Sequence, residues 1–328
     1  MKPTHTLLIT ALIGTILLGS CRNAASHPNS DNGQKQVIEV PAFDADSAYA
    51  YISKQVSFGY RIPGTEAHKS TAQWLANELE RHGATVLTQQ TTLTAYNSTR
   101  LPICNIIGTF APEKEKRVLL LAHWDSRPYA DYDPDPANHH SPIEGANDGA
   151  SGVGVLLEIA RQIGAKLPDI GIDILLVDAE DYGAPSWHTD DSESWALGSQ
   201  YWATHPHKPG YRAQYGILLD MVGAREGVFY REQLSQYYAK HIVDKVWQCA
   251  ERLGYSQLFI NEIGGAITDD HVYTNQAGIP TIDIIQLDPT SPTGFVSQWH
   301  TLDDNLSHID RSILKAVGQT VLTVIYEE

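Results

Sequence analysis

Four mostly apolar runs of strand length each lead directly into an ionisable residue. Such runs are typical of parallel strands covered on both faces, and open α/β sheets form their sites at the ends of these strands. The sequence therefore predicts an α/β protein whose functional residues lie at the strand ends. The runs are residues 118–122 before His123, 172–177 before Asp178, 217–219 before Asp220 and 279–282 before Asp283.

Helical patterns alternate with these strands. Within residues 151–163, for example, Val153, Leu156, Leu157 and Ala160 recur on one helical face. The alternation predicts a three-layer α/β/α sandwich with a central mixed, mostly parallel sheet. The predicted helices span 46–55, 70–82, 151–163, 195–204, 235–253 and 311–326, and the predicted strands span 85–93, 104–110, 118–122, 172–177, 215–221 and 279–286.

The first residues are typical of an exported lipoprotein. Lys2 precedes an apolar stretch at 7–18, and small residues come directly before Cys21, which would become the lipidated first residue. A plain secretory signal with an incidental cysteine is the alternative. Residues 22–41 are polar and aperiodic, as in a flexible tether, so residues 42–328 are predicted to form a single domain. We expect a periplasmic protein that contacts a membrane only through the lipid anchor.

Two further cysteines lie in the predicted domain. Cys104 opens a strand-like run, and Cys249 falls on the apolar face of a predicted helix, which favours a buried thiol. A disulfide between them is compatible with an oxidising compartment, and the sequence leaves this open. No Cys-x-x-Cys pair occurs, which argues against a thiolate zinc site.

The net charge excludes one class of partner. The formal charge is −16, whereas a nucleic acid requires a basic surface that can contact its phosphates. A negative surface suits a small cationic ligand, such as the free amino terminus of a peptide. We therefore expect peptides or proteins as partners and no nucleic acid.

The strand ends and the adjoining loops carry residue types that bind metals. Imidazoles and carboxylates suit zinc, and a catalytic zinc site leaves one position open for substrate or water. The set therefore predicts a zinc enzyme. His139, His140 and His188 fall in long polar loops and are interpreted as solvated side chains. The candidate residues are His123, Asp125, Asp148, Glu180, Asp181, Asp220, Asp269, Asp270, His271 and His300.

Other chemistries explain fewer of these residues. A serine hydrolase needs Gly-x-Ser-x-Gly at a strand-to-helix turn, but Val153 stands where the second glycine after Ser151 should be. A phosphate-binding loop would continue with Gly-Lys-Ser/Thr, which is missing here. Glycosidase chemistry needs only two carboxylates, and it leaves His123 and His300 unexplained.

Taken together, these motifs make the chain resemble the zinc-dependent aminopeptidase and glutaminyl cyclase superfamily, and it looks most like the animal-type glutaminyl cyclases of some Bacteroidetes. The resemblance covers nearly the whole of residues 42–328 and is less decisive between the two activities of the superfamily. Its motifs are Phe58-Gly59, Arg61-Ile62-Pro63-Gly64-Thr65, His123-Trp124-Asp125-Ser126-Arg127-Pro128, Asp148-Gly149-Ala150-Ser151-Gly152-Val153, Glu180-Asp181-Tyr182-Gly183, Leu218-Leu219-Asp220-Met221-Val222-Gly223, Thr268-Asp269-Asp270-His271 and Trp299-His300-Thr301.

The resemblance implies a role for the residues that match its motifs. Asp148, Asp181 and His300 would be the zinc ligands, and Glu180 would be the general acid and base. Many relatives carry glutamate where this chain has Asp181, so the shorter side chain requires an adjustment of the backbone.

Other matching positions bear on the number of metals. In the cyclases, Asp220 and Asp269 would form an acidic network beside the acid/base residue, and Trp299 would line the substrate pocket. Aminopeptidase relatives use the positions of His123 and Asp220 to hold a second metal, with Asp125 supporting a ligand. This chain has both residue types, so the resemblance leaves the metal count open.

The implied reaction is conversion of an amino-terminal glutamine to pyroglutamate with release of ammonia. Zinc would polarise the γ-amide, and Glu180 would carry the proton from the α-amine to the leaving nitrogen. Because the nucleophile belongs to the substrate, one zinc is enough. We also expect a monomer. The alternatives are a two-metal aminopeptidase and a lipid-anchored peptide-binding protein that has lost its chemistry. The peptide-binding protein would lack the base or a zinc ligand. All four of these residues are present, namely Asp148, Glu180, Asp181 and His300.

Overall fold

The computed structural model describes residues 39–189, 193–225 and 227–328. The described residues between 39 and 328 fold as one unit. The predicted signal segment with Cys21, the predicted tether as far as residue 38, and Asp190-Asp191 lie outside the described residues. None of the described helices is long and apolar enough to cross a membrane.

Helices and strands alternate along the described chain. The helices are α1 (Ala45–Ser57), α2 (Glu66–Arg81), α3 (Ala150–Ala165), α4 (Leu197–Thr204), α5 (Gln233–Arg252), α6 (Asp270–Gln276) and α7 (Arg311–Tyr326), with 3-10 turns at Pro136–Asn138 and Leu306–His308. The strands are β1 (Thr85–Thr94), β2 (Arg100–Phe110), β3 (Arg117–His123), β4 (Gly171–Val177), β5 (Tyr215–Asp220), β6 (Val228–Arg231), β7 (Phe259–Ile263) and β8 (Thr281–Leu287).

The strands form one mixed sheet in the order β1-β2-β4-β3-β5-β8-β6-β7. The central strands β4, β3, β5 and β8 are parallel, whereas β1, β2 and β6 each pair antiparallel with a neighbour. The predicted mixed, mostly parallel sheet is confirmed. Because the four central strands point the same way, their carboxyl ends meet at one edge of the sheet.

Alternate side chains of β3 show the three layers. Val118 and Leu120 belong to an apolar cluster with residues of α1, α3 and α7 on one face of the sheet. Leu119 and Leu121 belong to a second cluster with Trp202 of α4. Successive side chains of a strand point to opposite faces, so the sheet is covered by helices on both sides.

Three short elements were not predicted from the sequence. Strand β6 has only four residues, and β7 carries Asn261 and Glu262 at its centre, so neither shows a sustained alternation. Helix α6 has seven residues, which is too short for a helical period to be recognised.

Asp283 does not end its strand, in agreement with the predicted strand at 279–286, although the apolar run before it was grouped with the strands that end in an ionisable residue. Asp283 lies inside β8 and is fully buried. The strand continues to Leu287 because its backbone pairs with β5 as far as Ile285, with Asp283 opposite Leu218, and with β6 at Gln286 and Leu287. The apolar run therefore ends before the strand does.

Cys104 and Cys249 are both free, buried thiols. Cys249 lies on the buried face of α5, as predicted, and its thiol donates to the carbonyl oxygen of Thr320 at 3.8 Å. The disulfide that the sequence left open is therefore not formed.

We expect Leu120→Ala to lower the free energy of unfolding by about 2–5 kcal/mol, because Leu120 is fully buried between the sheet and α3 and its truncation leaves a cavity. Leu87→Ala is the matched control on β1, where the leucine is 44% exposed and a change within about 0.5 kcal/mol is expected. Urea unfolding of both variants measures the difference. Equal losses would contradict the assignment of Leu120 to the core.

Candidate active site

The predicted site residues meet at the carboxyl edge of the parallel strands. His123 ends β3, Asp220 ends β5, and Glu180 follows β4 by three residues. Asp148 lies in the loop before α3, and Asp269 caps the start of α6. All of these except His123 line one pocket of about 430 Å³.

Asp148, Asp181 and His300 form the first potential metal-binding group. Their ligand atoms lie within 4.8 Å of one another, and all three residues are buried. His300 Nε2 lies 3.5 Å from Asp148 Oδ2 and 3.4 Å from Asp181 Oδ1. The other oxygen, Asp181 Oδ2, accepts no hydrogen bond from any described residue. This group of two carboxylates and one imidazole fits the ligand preferences of zinc. A buried oxygen without a hydrogen bond, such as Asp181 Oδ2, is consistent with a metal ligand.

His123, Asp148 and Asp220 form a second group with the same spacing. His123 Nε2 lies 3.0 Å from Asp148 Oδ1 and 3.2 Å from Asp220 Oδ1, while His123 Nδ1 lies 3.4 Å from Asp125 Oδ1. Asp148 therefore presents one oxygen to each of the two imidazoles, His123 and His300. His123 can be joined to its carboxylates by a proton or by a second cation, so these distances are compatible with one metal or two.

The backbone at Gly149 brings Asp148 against His123. Gly149 has a φ of +89°, and a Cβ atom at this position would lie 2.7 Å from the carbonyl oxygen of Asp125 and 2.9 Å from His123 Cε1. Glycine tolerates both this φ and this approach. Steric constraints therefore explain why a glycine follows Asp148.

Asp125 holds the loop that carries Glu180 and Asp181. Its Oδ1 accepts the backbone N–H of Glu180 at 3.1 Å, and its Oδ2 accepts that of Asp181 at 3.2 Å. Ala179, directly before them, has a φ of +53°, a left-handed conformation that is unusual for alanine. Asp125 therefore lies behind the two acidic residues and orients their backbone.

Two residues that were not proposed as site residues lie behind His300. Asp131 Oδ1 lies 3.4 Å from His300 Nδ1, and Arg127 donates to both oxygens of Asp131 at 2.7 and 2.8 Å. A carboxylate in this position orients the ring of a ligating histidine. Burial alone would raise the pKa of Asp131, but Arg127 and His300 outweigh it and lower that pKa. The signals in the sequence were the place of Arg127 in the motif at residues 123–128 and its spacing of four residues from Asp131, in a loop without periodicity.

Aromatic rings form one wall of the pocket. Trp299, which the resemblance predicted there, stacks on His300 with ring centroids 3.7 Å apart. Trp195 also stacks on His300, at 5.8 Å, and Phe295 packs against Trp299 at 4.4 Å. A larger groove of about 820 Å³ between α2 and β1 is lined by none of the predicted site residues among those described.

Burial changes the acidity of the pocket carboxyl groups. It raises the pKa of Glu180 well above its usual range, and the charges of Asp269 and Asp181 raise it further, while His123 acts in the opposite direction. Burial also raises the pKa of Asp220 to about 7. A carboxyl group with a raised pKa can take up and release a proton near neutral pH, as general acid/base catalysis requires.

Asp270 and His271, two of the predicted candidates, lie behind the pocket and do not line it. Both are fully buried, and Asp270 accepts a hydrogen bond from Ser199. His271 Nε2 lies 3.3 Å from Glu232 Oε2 and Nδ1 lies 3.9 Å from Asp283 Oδ2. These residues therefore form a polar layer beneath Asp269.

The loop histidines lie away from the pocket lining. His139 and His140 pack around Trp187, with ring centroids at 6.3 and 4.7 Å, and His188 packs against Tyr96 at 4.9 Å. Their positions agree with the interpretation that they are loop side chains and not metal ligands.

Comparison with known proteins identifies relatives of the whole described fold. The profile of peptidase family M28 matches residues 105–325. A Zn-dependent exopeptidase from Parabacteroides distasonis is 59% identical with a TM-score of 0.87, over 88% of this chain and 100% of that chain. A glutaminyl cyclase from Bacteroides thetaiotaomicron, solved with N-acetylhistamine bound, is 54% identical with a TM-score of 0.87, again over 88% and 100%. The resemblance predicted from the motifs is confirmed.

Aminopeptidase YwaD of Bacillus subtilis is 30% identical over 263 residues. The match includes 76% of this chain and 50% of YwaD. The chain therefore spans about half the length of this curated relative.

Gly149→Ala should weaken zinc binding by about 10-fold or more. The new Cβ atom would displace Asp148 from His123, and Asp148 belongs to both potential metal-binding groups. Gly278→Ala is the matched control, since Gly278 has a φ of +85° but no atom within 4 Å of an added Cβ. Both variants lose about 1–2 kcal/mol of stability from the left-handed backbone. Zinc titration against a competing chelator separates the two effects. Unchanged zinc affinity in Gly149→Ala would show that the close approach is irrelevant to the site.

Proposed function

The chain belongs to peptidase family M28, and we propose that it is a glutaminyl-peptide cyclotransferase that converts the amino-terminal glutamine of peptides and proteins to pyroglutamate. The observation that carries the proposal is the position of Glu180 in one pocket with Asp148 and His300 of the first metal-binding group. The chain also covers all of the solved glutaminyl cyclase but only half of YwaD.

The pocket suits an amino-terminal glutamine in size and charge. Its volume of about 430 Å³ accommodates a single residue, and Trp299 offers an apolar wall for the methylene groups. Asp220 and Asp269 lie in the same lining and attract the positively charged α-amino group. Because the aromatic wall is on the His300 side, the γ-amide is placed toward the metal-binding group and the amine toward the acidic residues.

The reaction moves one proton through Glu180. The α-amino nitrogen, in its neutral form, attacks the γ-carbonyl carbon, a new C–N bond forms, and Glu180 accepts the proton that this nitrogen then loses. Glu180 then donates this proton to the γ-nitrogen, the original C–N bond breaks, and ammonia leaves. A free α-amine has a pKa of about 8, so a carboxylate of raised pKa is a sufficient base.

Asp148, Asp181 and His300 would hold one zinc ion. When bound there, zinc polarises the γ-amide carbonyl and stabilises the negative charge that develops on its oxygen. Asp131 and Arg127 keep the His300 ring in place from behind. The nucleophile and the electrophile belong to one substrate residue, so no activated water is required.

Aminopeptidase activity is the second candidate, because His123, Asp148 and Asp220 have the spacing of a metal-binding group. A second cation there would serve hydrolysis of the first peptide bond, again with Glu180 as base. In the cyclase, a proton held on His123 instead takes the place of this cation between Asp148 and Asp220. Burial disfavours the charged form of His123, but its three carboxylate neighbours outweigh it and raise the pKa.

We further propose that the protein is exported and anchored in the periplasm by a lipid on Cys21. The charge of −16 is consistent with peptide amino termini as ligands and not with nucleic acid. We expect a monomer.

Fractionation of cells that express the chain or its Cys21→Ala variant tests the anchor: the variant should move from the membrane to the soluble fraction.

Wild-type protein that lacks the first 21 residues should release ammonia from a peptide that begins with Gln-Ala. The product mass should fall by that of one ammonia, with the peptide otherwise intact. The same preparation should leave an amino-acid anilide uncleaved. Release of the first residue, together with two zinc ions per chain, would instead establish the aminopeptidase.

Glu180→Gln should lower kcat for ammonia release by about 10²–10⁴-fold, because the amide cannot accept and return the proton. Zinc content should stay at the wild-type level, since Glu180 is outside the proposed ligand set. Glu262→Gln is the control, a loss of the same charge at an exposed position of β7. Full activity of Glu180→Gln would rule out Glu180 as the acid/base.

A further inference from the structure

Asp304 connects the two loops that carry Asp148 and His300. It follows His300 by four residues and is only 1% exposed. Its Oδ1 accepts the backbone N–H of Asn147 at 2.7 Å, and its Oδ2 accepts that of Asp148 at 3.0 Å. The backbone N–H of Ala146 also donates to the Asp304 carbonyl oxygen at 3.3 Å. One residue thus contacts three successive amides of the Asp148 loop.

The position of Asp304 is itself tied to the turn that contains His300. Its backbone N–H donates to the carbonyl oxygen of Thr301 at 3.2 Å, and the Thr301 N–H donates to Gln298 at 3.1 Å. A displacement of this turn therefore moves Asp304 together with His300. The Asp304 carboxylate therefore holds this turn at a fixed distance from the loop that carries Asp148.

The opposite side of the Asp148 loop is attached to the end of β5. Asn147 Oδ1 accepts the N–H of Gly223 at 2.8 Å, and Ser151 Oγ accepts that of Val222 at 2.9 Å. The sheet thus fixes Asp148 from one side, and Asp304 fixes it from the side of His300.

Only a carboxylate can accept the backbone hydrogen bonds of Asn147 and Asp148 on two separate oxygen atoms. Asp304 faces two adjacent backbone N–H groups, and each of its oxygens accepts one. An asparagine would keep a single acceptor, and its amide N–H group would face one of the backbone donors. The conservative replacement is therefore a sharp test of this residue.

We propose that Asp304 is a positioning residue that sets the spacing between Asp148 and His300 and so determines how tightly zinc is held. It contacts neither the pocket nor the reacting groups. The inference rests on the proposed function in one respect only, namely that Asp148, Asp181 and His300 hold zinc. Partners behind the ligands of metal sites commonly contribute 10- to 100-fold to affinity, which is roughly the range expected here.

Asp304→Asn should raise the zinc dissociation constant by about 10- to 100-fold in a chelator competition titration. Added zinc should restore kcat toward the wild-type value with KM unchanged, because the substrate pocket is intact. Asp303→Asn is the matched control, since it removes the same charge from an exposed neighbouring position and should keep wild-type zinc affinity. Wild-type zinc affinity in folded Asp304→Asn would overturn the proposal.

Asp304→Glu keeps the test decisive if the asparagine variant does not fold. Glutamate retains both acceptor oxygens but has a longer side chain, which pushes the two loops apart. Its zinc dissociation constant should rise at least threefold, while the circular dichroism spectrum of the metal-free form should match that of the wild type; unchanged zinc affinity would contradict the inference. Ammonia release by the wild-type chain is measured separately, so a failure of the cyclase proposal and a failure of the Asp304 proposal give different results.

Discussion

A buried carboxylate, Asp148, lies between two imidazoles at the centre of the site. One oxygen faces His123 at 3.0 Å and the other faces His300 at 3.5 Å. An isolated buried charge costs several kcal/mol, so this carboxylate requires cationic or hydrogen-bonding neighbours on every side. The parallel strands supply them by ending at one edge, and Gly149 and Asp304 supply the backbone geometry that keeps Asp148 in place. The proposed zinc binding and proton transfer both depend on this arrangement.

The site also holds backbone strain. Ala179, Met221 and His300 have positive φ values of 53°, 46° and 55°, and each is at or next to a residue of the proposed machinery. Such conformations cost on the order of 1–3 kcal/mol each and persist only where the surrounding structure enforces them. The two apolar clusters on either face of the sheet provide that support. The stability of the sheet therefore allows the loops at its edge to adopt geometries that flexible segments would not keep.

The central strands and the ligand types were predictable from the sequence because both leave a local pattern. An apolar run identifies a strand such as β4, and the polar residues that follow it, Glu180 and Asp181, mark the site. Asp131 and Asp304 left no such pattern, since their roles arise from contacts between loops that are distant in sequence. Asp283 follows an apolar run but does not end its strand, because pairing with β5 and β6 extends β8 beyond that run.

Anomalous scattering at the zinc absorption edge, from crystals of the chain grown with zinc, locates the metal without reference to activity. One peak enclosed by Asp148, Asp181 and His300 is the expected result, with His123 hydrogen-bonded to Asp220 and no second peak between them. Two peaks that share Asp148 would contradict a single-zinc cyclase and would assign His123 and Asp220 to a second metal.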